Sequence, residues 1–193
     1  MIAGSTGRRA SADGGAGAAT ADADDRVSEV RERAWAAASR VVDPELPMLT
    51  LVDLGVLRGI EVGDDGAVVA AITPTYSGCP AMATMRDDLL RELQDAGFAD
   101  ARIRIALDPA WTSDWITPEG RAALAAAGIS PPGAAPRREG PVAVRLLPTR
   151  RAVRCPQCGS EDVALSSEFG STACKAMYRC LACREPFDHV KEI

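Results

Sequence analysis

Apolar residues recur at helical spacing in the first third of the chain, at Val27, Val30, Ala34, Ala38 and Val41. This pattern predicts a helix that Pro44 stops. Two runs then switch to strand character, Val56–Val62 and Ala67–Thr73, and the Gly63-Asp64-Asp65-Gly66 break between them reads as a hairpin turn. Helical spacing returns after Pro80, with Met82, Met85, Leu89, Leu93 and Ala96 on one face and Gly97 at the end. Arg102–Leu107 alternates as a third strand, and Thr117-Pro118-Glu119 opens a short Ala-rich helix that closes at Gly128. The order α-β-β-α-β-α predicts an α+β fold, a small sandwich with helices on one face of a sheet.

The pattern fades at both ends of this unit. Residues 1–24 are Ala, Gly, Ser, Thr and Asp with little to bury, which predicts a disordered extension ahead of a domain at 25–129. Residues 130–150 are rich in Pro and interrupted by charge, as expected of a linker, and Val142–Leu147 within them could add a short strand. Residues 151–193 carry Cys155-Pro156-Gln157-Cys158-Gly159 and Cys180-Leu181-Ala182-Cys183. Two Cys-x-x-Cys pairs about twenty residues apart have the ligand spacing of a zinc ribbon, so the fold is the sandwich followed by a C-terminal ribbon. Four thiolates at Cys155, Cys158, Cys180 and Cys183 close the metal's shell, and such a site is structural.

Composition narrows the function classes. The chain has 193 residues, a formal net charge of −5 and 47% hydrophobic content, enough for a packed domain with an appendage. Residues 150–193 hold seven basic and six acidic side chains, so no basic stripe points to nucleic acid. No apolar run is long enough to cross a bilayer. Arg8-Arg9 lacks a following apolar segment, and a cytoplasmic location is expected. There, paired cysteines bind metal more often than they form disulfides.

Two segments of the sandwich look unlike scaffold. Asp43-Pro44-Glu45-Leu46-Pro47 is either a helix stop with solvated acids or a rigid acidic loop that meets a partner or a metal. Thr73-Pro74-Thr75-Tyr76-Ser77-Gly78-Cys79-Pro80 delivers Cys79 to the start of a helix, where N–H groups and the helix dipole favour thiolate. Cys79 is either a small buried cysteine at a helix end or a sulfur that binds a metal or cluster transiently, and in the second case it needs a second chain or a partner to complete a site. Cys174 is surplus to the ribbon; a packed thiol is expected, against a role in an iron–sulfur site. His189, the single histidine, is expected as an exposed or packed ring and not a ligand. Trp111 and Trp115 are either core caps or interface anchors.

Together these segments carry a resemblance. Asp43–Pro47, Val52-Asp53-Leu54-Gly55 and Thr73–Pro80 resemble the metal–sulfur cluster biosynthesis family, whose members assist iron–sulfur protein maturation. Asp108–Ile116, Gly128–Pro132 and Phe169-Gly170-Ser171-Thr172-Ala173-Cys174-Lys175 before the second knuckle are similar to the D (or J) subunits of the phenylacetyl-CoA 1,2-epoxidase system. The resemblance covers about residues 25–193. It implies a non-catalytic accessory subunit in aerobic phenylacetate catabolism, with a functional thiol at Cys79 and a supporting acidic loop at Asp43 and Glu45. It further implies structural zinc, a transient iron ion or iron–sulfur cluster, and oxygenase or reductase subunits as partners. Two other functions compete with it. A stand-alone thiol enzyme would need a base beside Cys79. A structural adaptor would bind through the Trp loop and the ribbon without metal transfer.

Overall fold

The computed structural model describes residues 16–76, 78–135 and 152–193. Helix α1 (Ala16–Ala38) is followed by β1 (Leu57–Val62), β2 (Val68–Ile72), α2 (Met82–Asp95), β3 (Arg102–Ile105) and α3 (Pro118–Ala126). A single 3-10 turn at Ser113–Trp115 precedes α3. This is the expected α-β-β-α-β-α order. The helix begins earlier than expected: residues 16–24 belong to α1, because Ala is the strongest helix former and the segment is Ala-rich. The remainder of the expected extension, residues 1–15, lies outside the described residues, as do most of the expected linker and the Val142–Leu147 strand.

The first sheet has the order β1-β2-β3. The β1–β2 hairpin is antiparallel, with a register shift between Leu57 and Gly59, and β2 pairs with β3 in parallel. A parallel neighbour requires a crossover, and α2 supplies it. Helix α1 packs against β1, β2 and α2, and α2 reaches β3. Between them Leu49, Leu51, Ile72, Met85, Leu89 and Leu93 are fully buried. Cutting any such leucine to alanine costs about 2–5 kcal/mol, so these positions hold the sandwich together.

The second sheet is the ribbon: β4 (Val163–Ser167), β5 (Lys175–Cys180) and β6 (Pro186–Val190), all antiparallel. Its own apolar core is small, with Val153, Ala176, Tyr178 and Phe187 around Cys155 and Cys180. The ribbon is joined to the sandwich through backbone and core. The Ser130 N–H donates to the Asp188 carbonyl at 2.8 Å, and the Val190 N–H donates to the Ser130 carbonyl at 3.0 Å. The Ser113 N–H donates to the Ile193 carbonyl at 3.0 Å. Val190 itself is buried in the sandwich core. Among the described residues no helix is long and apolar enough to cross a membrane.

Candidate functional site

The acidic loop is built around Asp43. Its Oδ1 accepts from the N–H groups of Glu45 and Leu46, both at 2.8 Å, and the side chain is buried. The Asp43 N–H donates to the Leu49 carbonyl at 2.9 Å, which closes the loop at its base. Flanked by Pro44 and Pro47, this segment is a rigid acidic loop and not a solvated helix stop. Glu45 is half-buried and faces the same cavity as Cys79.

Cys79 leaves the end of β2 through Gly78, whose φ of +87° suits a residue without a Cβ. Helix α2 has no side-chain hydrogen bond at its N-cap, Ala81, and the Cys79 sulfur takes the Ala81 N–H instead. The expected activation to thiolate does not follow. Burial pushes the Cys79 thiol above its ordinary value, the Ala81 N–H opposes this, and the carboxylates of Glu45 and Asp43 with Cys174 add to the rise. One N–H and a helix end are outweighed by desolvation and nearby negative charge. A thiol so placed is a poor free nucleophile, but a cation would relieve both penalties at once.

Cys174 is no spare. It precedes β5, accepts from or donates to Thr172 Oγ1 at 3.1 Å, and lines one cavity with Cys79, Asp43 and Glu45. Burial raises its thiol as well; Thr172 opposes this and Glu45 adds to it. Sequence reasoning missed that these two thiols line one cavity. The available signal was arithmetic: six cysteines less four ribbon ligands leaves two.

Trp111 caps the core. It is 6% exposed, and its Nε1–H donates to the Leu54 carbonyl at 2.9 Å. This replaces its reading as an interface anchor, because the indole N–H finds its partner inside the domain. Trp115 is half-buried beneath Arg58, whose guanidinium lies 3.6 Å from the ring centroid. Asp53 is structural too. Burial alone would raise its carboxyl, but hydrogen bonds from Thr50 and Thr117 hold it below the ordinary range. His189 is a packed ring, 0% exposed, with Nδ1 at 3.2 Å from both the carbonyl and the hydroxyl of Ser130. Its Nε2 lies 3.3 Å from Glu192 Oε1.

In the ribbon, the sulfurs of Cys155, Cys158, Cys180 and Cys183 all lie within 4.8 Å of one another. The Cys155–Cys183 and Cys158–Cys180 pairs are each 3.6 Å apart. A tetrahedral metal with bonds of about 2.3 Å to sulfur separates its ligands by about 3.8 Å, so the quartet fits such an ion. The Cys180 thiol is lowered to about 6, chiefly by the Cys183 N–H that donates to it. Gly159 (φ +73°) and Arg184 (φ +71°) take the left-handed turn just after each knuckle.

Comparison with known proteins agrees with this division. Residues 31–105 match the family described as "Iron-sulfur cluster assembly protein", and residues 139–191 match "PaaD zinc beta ribbon domain". Over 157 residues, 81% of this chain and 90% of the relative, the sequence is 46% identical to an Escherichia coli (strain K12) protein provisionally named as the D subunit of 1,2-phenylacetyl-CoA epoxidase. The chain belongs to the D-subunit family of phenylacetyl-CoA epoxidase. It is also 30% identical to the Fe-S protein maturation auxiliary factor YitW of Bacillus subtilis (strain 168), covering 49% of this chain and 93% of that one. A solved DUF59 domain from Bacillus anthracis aligns with a TM-score of 0.49 at 20% identity, over 52% of this chain and 96% of that one. The D-subunit relative spans most of this chain, whereas nearly all of YitW fits within half of it.

Proposed function

We propose that this chain is an accessory maturation factor of the phenylacetyl-CoA epoxidase system, which assists assembly of an iron or iron–sulfur centre in an oxygenase or reductase subunit and does not itself turn over substrate. The observation that carries the reading is the cleft in which Cys79 meets Asp43 and Glu45. A raised thiol among carboxylates disfavours nucleophilic catalysis and favours capture of a cation. The named role of the maturation relatives supports the same conclusion. A thiol enzyme finds little support, since the single histidine is buried against Ser130. An adaptor working through the Trp loop loses Trp111 to the core.

In this reading the ribbon holds zinc at Cys155, Cys158, Cys180 and Cys183. Bound there, zinc supplies a cross-link and no open coordination position. Its task is to keep the ribbon folded on the sandwich, because a core this small gains much of its stability from the metal. The test is co-expression of Cys79→Ser with the epoxidase subunits. The expected result is an oxygenase or reductase isolated with most of its iron missing and activity reduced in proportion, while the ribbon keeps its zinc. Full metal content and full activity beside Cys79→Ser would refute the reading.

A further inference from the structure

The two cysteines outside the ribbon quartet come from different parts of the chain. Cys79 rides the loop between β2 and α2, and Cys174 rides the loop before β5 of the ribbon; both line one cavity with Asp43 and Glu45. That cavity has a volume of about 20 Å3 open to a water-sized sphere, between walls that include Trp111 and Val190. Roughly 10–15 Å3 is enough for one water, whereas organic ligands occupy pockets of about 300–1,000 Å3. The space suits a single ion. Asp43 Oδ1 is committed to two backbone N–H groups, whereas no hydrogen bond or ion pair among the described residues engages the Glu45 carboxylate. Sulfur with one carboxylate is a donor set for borderline transition metals and not for magnesium or calcium.

We propose that Cys79, Cys174 and Glu45 form a binding site for one divalent transition-metal ion at the seam between the sandwich and the ribbon, with the ribbon supplying the second sulfur. The proposal rests on the reading that the Cys79 cleft handles metal, and it adds where the missing ligand comes from. Binding is a ligand exchange without redox change: each thiol releases one proton to solvent as its sulfur bonds the ion, and the Glu45 carboxylate donates an electron pair. The site differs from the ribbon quartet in one respect. Among the described residues, the quartet is the only set of three or more such ligands whose donor atoms all lie within 4.8 Å of one another. The cleft ligands must draw together on the ion, so the ion is held less tightly than in the ribbon. A passing cargo requires that difference. The ribbon then has a second task, because undocking it would withdraw Cys174 and release the metal.

The test uses the full chain with one zinc bound, titrated anaerobically with Co2+ and followed by thiolate-to-cobalt charge-transfer absorption and by metal analysis after desalting. Wild type should take up one further equivalent with no zinc released. Cys79→Ser and Cys174→Ser should each weaken cobalt binding by more than about 100-fold, beyond the 10–100-fold typical of losing an outer-shell partner. Cys174→Ala should behave as Cys174→Ser does, and unchanged zinc content and melting temperature establish that both variants fold. If Cys174→Ser binds cobalt as wild type does while Cys79→Ser does not, this inference is overturned and the Cys79 reading survives. No second-site uptake by wild type, or zinc release equal to cobalt uptake, overturns it outright.

Discussion

Gly55 carries two constraints at once. Its φ of +67° lies in the left-handed region, and a Cβ there would sit 2.6 Å from Trp115 Cβ and 2.8 Å from the Trp115 carbonyl oxygen. The neighbouring Leu54 carbonyl receives the Trp111 indole, so this single turn anchors the segment that walls the cleft. Gly55→Ala is therefore expected to destabilise the protein by roughly 2–4 kcal/mol, the sum of backbone strain and a clash with backbone that cannot step aside. A lowered melting temperature checks this; an unchanged one would mean that the Trp115 contact is slack. Residue identity alone gave little of this away. Trp111 and Trp115 stand four apart in one loop, and nothing local says that one is buried and the other is covered by arginine. Cys79 shows the same limit. A helix start was visible in the sequence, but the desolvation and carboxylates that reverse its effect on the thiol come from residues distant in the chain.

At the scale of elements, the sandwich was readable because each helix and strand imposes its own period. The buried face of α2, Met85, Leu89 and Leu93, falls where the spacing put it. The ribbon was readable from cysteine spacing for a different reason, since one metal fixes four positions. The docking of the ribbon was not readable, because a few backbone hydrogen bonds from Ser130 and Ser113 leave no periodic trace. His189 and Glu192 belong to this seam. Burial alone would raise the Glu192 carboxyl; the His189 ring and the N–H groups of Glu192 and Gly133 outweigh it and hold the group at about 2. A carboxyl depressed in the folded state stabilises it above the ordinary value of about 4.5, and that contribution fades as pH falls from there toward 2. The melting temperature of wild type should therefore exceed that of Glu192→Gln at pH 6, and the gap should close as pH is lowered through that window. A gap that persists undiminished at pH 2 would contradict the role given to Glu192.

The whole molecule divides its sulfurs by environment. Four are gathered tightly in a ribbon whose geometry fits a tetrahedral ion, and two line one small cavity together with Asp43, Glu45 and several apolar side chains. In the proposed reading the first set ties the C-terminal part of the chain into shape and the second handles cargo. Membership of the D-subunit family and similarity to maturation factors set the biological frame, and the cleft is where the proposed chemistry within it would take place. The central claim is that one metal site is structural and a second, dependent on Cys79, is not. Metal analysis of anaerobically purified protein, wild type beside Cys79→Ser, tests it most directly. The account predicts one zinc per chain in both proteins, together with iron in wild type that is lost in the variant. Zinc alone in both, or iron retained without Cys79, would contradict it.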